Sequence, residues 1–220
     1  MTTTAKNAKK QRTPAKSKGP LIGGIVGAVV VLALIAAVVL GGSARPGSEF
    51  GSPEISGALP LMPSGTPVDT SVTGLAAPTV VGEDFDGNEV AIRNDGRAKA
   101  IVFLAHWCPH CQAEVPRVQQ WLDATGGVEG VDIYAVATAM NSAQPNYPPS
   151  AWLEGEGWSS PVIRDDEERS ALVAYGAGGF PFWVFVDEDG TVALRSRAGP
   201  RDVLSTAMGR RTGSRRSSPA

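Results

Sequence analysis

The chain has 220 residues, with 20 Lys and Arg against 22 Asp and Glu, and its formal net charge of −2 hides a strong segregation. Residues 1–19 hold six cations and no acid, the last eleven hold four arginines and no acid, and every acid lies between. An acidic body lacks the clustered Lys and Arg that phosphate contacts require, which excludes nucleic acid as its partner; two cysteines three positions apart exclude a disulfide-framework scaffold.

In chain order, residues 1–19 read as a basic cytoplasmic tail. From Leu21 to Leu40 every residue is apolar or Gly. At about 1.5 Å per helical residue such a run just spans a bilayer core of about 30 Å. One transmembrane helix is predicted over 20–41. The basic flank precedes it, so the positive-inside rule puts the N-terminus in the cytoplasm and the body outside, as a single-pass cell-membrane protein. A cleavable signal peptide is the rival reading, with Gly42-Ser43-Ala44 offering small residues for a cut. The run exceeds the roughly 7–15 residues of a signal core, so an uncleaved anchor is preferred. Residues 42–73 carry Pro46, Pro53, Pro60, Pro63 and Pro67 among Gly, Ser and Thr without an apolar period. They read as a linker.

The folded domain is predicted over 74–209. Asp86-Gly87-Asn88 between Thr79–Phe85 and Glu89–Ile92 predicts a hairpin. Ala100–Ala105 is a continuous apolar run that suits a central strand buried on both faces. Val115, Val118 and Leu122 recur at helical spacing, and Val131–Ala137 reads as a second buried strand. Pro148–Gly155 predicts a short helix, Val162-Ile163 a strand segment, and Asp165–Tyr175 a helix opening on four acids that complement its dipole. Phe182–Val186 and Val192–Ser196 flank Asp187-Glu188-Asp189-Gly190 as a second hairpin. A helix over 201–208 closes the domain, and 210–220 form a disordered basic tail. Strands alternating with helices define an α/β fold.

Cys108-Pro109-His110-Cys111 directly follows the first buried strand and opens the next helix. A thiolate is the nucleophilic form of cysteine, and a helix N-terminus favours negative charge. Two intervening residues let both sulfurs meet within one turn, so the pair can cycle between dithiol and disulfide. Zinc is disfavoured, since Cys108, Cys111, His106 and His110 are the chain's entire Cys and His complement and fall within six residues. Haem attachment fails because Gln112 follows Cys111. A static disulfide here closes too small a loop to stabilise much. No metal and no cofactor is expected.

The stretch I-V-F-L-A-H-W-C-P-H-C at 101–111, with Gly179-Phe180-Pro181-Phe182 ahead of a strand, resembles the thioredoxin superfamily. Trp107 stands before the first cysteine, and Pro116 where that family kinks its active-site helix. C-x-x-C-x-x-E-x-P at 108–116 and the preceding hairpin look like the membrane-tethered TlpA/ResA-type subgroup. The resemblance implies a thioredoxin-like fold, a central mixed sheet flanked by helices, over about 75–209. It also implies thiol–disulfide exchange with Cys108 as the exposed nucleophile and the more buried Cys111 as resolver. Pro181 would be a cis-proline facing the cysteines, and Phe180 would offer backbone hydrogen bonds to an extended substrate. Trp107 would be a platform beside them.

Pro109 and His110 resemble the inter-cysteine pair of DsbA, a strong oxidant. His110 there implies a stabilised Cys108 thiolate and an oxidising pair. Glu114 resembles the modulating glutamate of TlpA/ResA-type proteins, which are mostly reductants; without the family it is a first-turn helix acid. His106 is open between a tuning role and a surface position. Val102 stands where cytosolic thioredoxins carry a buried Asp. The expected activity is exchange with protein thiol and disulfide substrates outside the cytoplasm, oxidation favoured, with a membrane redox partner recycling the pair. A ResA-like reductant, as in cytochrome c maturation, is the alternative. A non-catalytic tethered client- or metal-binding module is the alternative from another class.

Overall fold

The continuous apolar runs become strands that are covered on both sides. In the computed structural model, which describes Met1–Thr2 and residues 49–197, the elements begin with β1 (Glu54–Ser56), β2 (Val68–Asp69), β3 (Thr79–Glu83), β4 (Glu89–Ile92) and β5 (Ala98–Leu104). Helix α1 (Pro109–Thr125), β6 (Val131–Ala137), α2 (Pro149–Gly155), β7 (Val162–Arg164), α3 (Ser170–Ala174), β8 (Phe182–Val186) and β9 (Val192–Ser196) follow. The transmembrane helix expected at 20–41, the two basic tails and the closing helix at 201–208 lie outside the described residues. Among the described residues no helix is long and apolar enough to cross a membrane.

A six-stranded mixed sheet in the order β2-β9-β8-β5-β6-β7 forms the centre, and β1-β3-β4 make a separate antiparallel sheet. β5 runs parallel to β6 and antiparallel to β8. Alternation along β5 therefore feeds two cores. Ile101 and Phe103 join Val80, Ile92, Tyr175 and Phe182 on one face. Ala100, Val102 and Leu104 join Val115 and Val118 of α1 and Trp152 and Leu153 of α2 on the other. Each large apolar side chain so buried contributes about 1.5–3 kcal/mol. This is the thioredoxin-like α/β architecture, with the hairpin of β3 and β4 in front of it. Asp84 organises that hairpin by accepting from the N–H groups of Asp86 and Asn88 at 2.9 and 2.8 Å, while Gly87 turns the chain at φ 85°.

The linker expected over 42–73 needs correction from Glu49 onward. β1 pairs with β3, β2 pairs with β9, and Leu59, Met62 and Val72 are core residues. A buried ion pair fastens the segment. Arg195 donates from Nη2 and Nε to Asp69 Oδ2 at 2.5 and 3.1 Å, and from Nη1 to the carbonyls of Pro60 and Tyr175 at 2.6 and 3.1 Å. The prolines and glycines shape an irregular path, along which Leu59, Met62 and Val72 are covered while Leu61 and Val68 stay exposed.

The helix expected over Asp165–Tyr175 is shorter, spanning only Ser170–Ala174. Its acids stand ahead of it and still serve its N-terminus. Asp165 accepts from the Ala171 and Leu172 N–H groups and from the Thr138 hydroxyl, and Asp166 accepts from the Ser170 N–H.

Candidate active site

β5 ends at Leu104 and α1 starts at Pro109, so the four-residue turn between them sets the cysteine geometry. Cys108 is the N-cap, extended at φ −76° and ψ 120°. Its N–H donates to the Ala105 carbonyl and its own carbonyl accepts from Gln112 N–H, both at 3.0 Å. Pro109 at the first helical position gives up an N–H that would have no partner there. The Cys108 sulfur thus lies at the positive end of a helix of 17 residues, and Cys111 follows one turn on.

The two thiols differ in environment. Cys108 keeps 7% of its surface, whereas Cys111 is at 0%. Cys108 is therefore less open than the exposed nucleophile expected from the resemblance. Its thiol reaches the Phe180 carbonyl at 3.8 Å, and Phe180 packs edge-on to Trp107 with ring centroids 6.0 Å apart. Those neighbours leave a narrow window onto the sulfur. The Phe180–Pro181 bond is cis and Pro181 is buried.

Burial pushes the Cys111 thiol far above its usual value, only partly offset by a backbone hydrogen bond at Ala105; the neighbouring Cys108 and the charge of Glu114 push it further. Glu114 is half-buried and lies beyond the first helical turn, which holds no acid, so the first-turn placement is corrected. Val102 is fully buried in the same apolar cluster as both cysteines. Pro109 and His110 are exposed on the first turn. Pro116 sits inside the helix, where its missing N–H interrupts the ladder.

Trp107 is half-buried and donates its indole N–H to the Ala139 carbonyl at 2.8 Å. His106, one residue earlier, is 1% exposed rather than a surface residue. Its Nε2 accepts from the Asn141 N–H at 3.1 Å and its Nδ1 meets the Pro145 carbonyl at 2.6 Å. An amide N–H can only donate, so the ring carries its proton on Nδ1. Its carbonyl accepts from the Gln112 side chain at 2.9 Å, and its ring meets Tyr147 edge-on. His106 thereby pins the loop from Ala139 to the cis Tyr147–Pro148 bond against the cysteine turn. Sequence reasoning did not assign that loop to the site. Its signal was the run Asn141-Ser142-Ala143-Gln144-Pro145-Asn146-Tyr147-Pro148, too polar and Pro-rich for the strand and helix around it. Both ring nitrogens of His106 are used by the backbone, so it offers no ligand atom. Among the described residues no group of three His, Cys, Asp or Glu side chains is gathered for a metal.

The geometry has known counterparts. The pattern of the redoxin family matches residues 72–206. Thiol-disulfide oxidoreductase ResA of Halalkalibacterium halodurans is 27% identical over 120 residues, covering 54% of this chain and 65% of that protein. Sporulation thiol-disulfide oxidoreductase A of Bacillus subtilis is 25% identical over 83 residues, covering 38% of this chain and 49% of its own. The matches thus span less than two thirds of the length of either curated relative. The crystal structure of the thioredoxin domain of a thiol-disulfide oxidoreductase from Bacteroides vulgatus aligns with a TM-score of 0.50 and 26% identity over 62% of this chain and 96% of that one. A match over more than half the chain, on a thioredoxin-like sheet that delivers its two cysteines opposite a cis-proline, leaves one conclusion about kinship: the chain belongs to the redoxin family, as a TlpA/ResA-like protein of the thioredoxin superfamily.

Proposed function

We propose that this protein is a thiol–disulfide oxidoreductase, acting outside the cytoplasm on protein thiols from a single-pass anchor at 20–41, and that it works as an oxidant. The observation that carries the reading is the asymmetry of the pair, with Cys108 retaining 7% exposure at a helix N-terminus and Cys111 sealed at 0%. A thiol that can be reached and a second that only its neighbour can reach are what ordered exchange requires.

In the oxidising direction the pair begins as a disulfide. A client thiolate attacks Cys108 Sγ, the bond to Cys111 breaks, and Cys111 leaves and takes up a proton. The client's second thiolate attacks its own sulfur in the mixed disulfide, closes the client disulfide and releases Cys108. Two electrons pass to the protein, and a membrane redox partner removes them. Pro109 and His110 support the Cys108 thiolate from the first turn. Trp107, Phe180 and Pro181 form the wall on which the client lies. Glu114 exchanges the proton of Cys111.

A specific observation favours the reverse direction as the second reading. The upward shift of the Cys111 thiol makes it a poor leaving group, which slows attack on the internal disulfide and suits a ResA-like reductant. The names of the curated relatives support exchange and are neutral on direction.

Equilibrating the full-length protein with glutathione buffers tests all of this. A potential toward about −120 mV supports the oxidant and one toward about −270 mV the reductant. A pair that never equilibrates points to the non-catalytic tethered module instead. Protease added to intact spheroplasts should remove the domain, and protection of the domain would overturn the extracytoplasmic placement.

A further inference from the structure

The two residues ahead of the Phe180–Pro181 wall are glycines, and the space beside them is taken by Arg197. A Cβ added to Gly179 would stand 3.0 Å from Arg197 Nη1 and 3.6 Å from its Cζ, and one added to Gly178 would stand 3.1 Å from Nη2. The guanidinium therefore lies along the loop that leads into the site, close enough that side chains on those two residues would make it give by a few tenths of an ångström.

Arg195, in β9, and Arg197, one residue past its end, are used differently. Arg195 is fully buried and shares its donors among Asp69 and two carbonyls. Arg197 is half-buried, its Nε is shielded from solvent without a hydrogen-bond partner, and no ion pair among the described residues includes it. Its two terminal nitrogens donate no hydrogen bond among the described residues, and together they match a carboxylate in geometry and charge. Leu61 lies next to it, 70% exposed, with Cδ1 3.8 Å from the Cβ position of Gly178. A cation and an exposed apolar side chain thus flank the approach to a thiol on a body that is otherwise strongly acidic.

We propose that Arg197 is a specificity-determining residue, which receives an acidic side chain of the client close to its reacting cysteine while Leu61 takes an apolar neighbour. The inference rests on the exchange function proposed above. Phe180 touches the Cys108 thiol, and Gly178 is two residues from it, at most about 7 Å away even on fully extended chain. The client acid therefore belongs about two positions from the cysteine.

The test uses the full-length protein in detergent and three two-cysteine peptides that differ only in Glu, Gln or Lys two positions from the first cysteine. Exchange should be fastest with Glu and slowest with Lys, about five-fold apart in kcat/KM, with the difference in KM. High salt should shrink the gap, as screening demands. Arg197→Lys should keep the order, Arg197→Gln should equalise the peptides, and Arg197→Glu should invert them. Equal rates for the wild type on all three peptides, a measurement that depends on no variant folding, would overturn the role of Arg197 and leave exchange standing. An undiminished preference in Arg197→Gln would do the same. No exchange with any peptide would overturn the function itself and this inference with it.

Discussion

The thiol of Cys108 touches the carbonyl oxygen of Phe180 at 3.8 Å, a contact between residues 72 positions apart in the chain. It joins the helix-opening turn to the cis-proline loop, the face on which the proposed exchange would place a mixed disulfide. Cys111 lies behind that face, with none of its surface exposed.

From this order of access, Cys111→Ser should accumulate client proteins in a covalent complex, because its Cys108 thiolate attacks a client disulfide and the protein no longer has a thiol of its own to resolve the mixed disulfide that forms. The complex is read as a high-mass band that reductant abolishes. Cys108→Ser should neither trap nor exchange. Trapping by Cys108→Ser instead would reverse the roles of the two thiols.

His110 stands exposed on the first helical turn beside Cys108. If its ring supports the thiolate, His110→Ala weakens the reduced form and makes the potential more negative. A tenfold change in the equilibrium constant is about 30 mV for this two-electron couple, and a shift of at least that size is expected. An unchanged potential would remove His110 from the tuning of the pair.

Burial holds the His106 imidazole below its usual value, against the opposing effects of the Pro145 carbonyl and the Glu49 charge. The folded state therefore prefers the neutral ring, and the unfolded chain binds the proton first as pH falls. Stability from His106 is complete above about pH 6.5 and declines as the pH is lowered past it. A protonated Nε2 can no longer accept from Asn141, so the loop over 139–148 should loosen first. Hydrogen exchange there, corrected for intrinsic rates, should be faster at pH 5 than at pH 7.5. His106→Gln should lose that dependence.

Breaking the buried pair at its acid should be costly. Asp69→Ala leaves Arg195 charged and enclosed, with an expected loss of about 3–5 kcal/mol in urea unfolding. Replacing both residues by apolar ones of similar volume should cost much less. Burial raises the Asp69 carboxyl, but hydrogen bonds from Ser71 and the Arg195 guanidinium outweigh it and hold the group below the usual carboxylate range. Its stabilisation is thus present above about pH 4 and is lost as pH falls through the depressed value, so acid should narrow the gap between wild type and Asp69→Ala.

The parts of the fold legible in the sequence were those carried by contiguous signals. The apolar run in β5, the turn residues at Asp86-Gly87-Asn88 and the motif at 108–111 each announce themselves within a few residues. Residues 49–73 did not, because what fixes them is remote: Asp69 meets an arginine 126 positions away, and Leu59, Met62 and Val72 are lone apolar residues with no period. His106 was ambiguous for the same reason. Its burial depends on a loop that returns more than 30 residues later to cover it. The narrow window onto Cys108 likewise depends on Phe180, which local sequence around the cysteines does not reveal.

The main sheet ends in β2, two residues long, on one side and in β7, three residues long, on the other. Long free edges template pairing with other chains, and very short ones do not. A protein that meets incompletely folded partners is exposed to co-aggregation each time it engages one. With its outer strands cut this short, the sheet gives a partner little main chain on which to extend a ladder. For the function proposed above, that leaves the cysteine face as the place of contact, from which a client can leave once exchange is done.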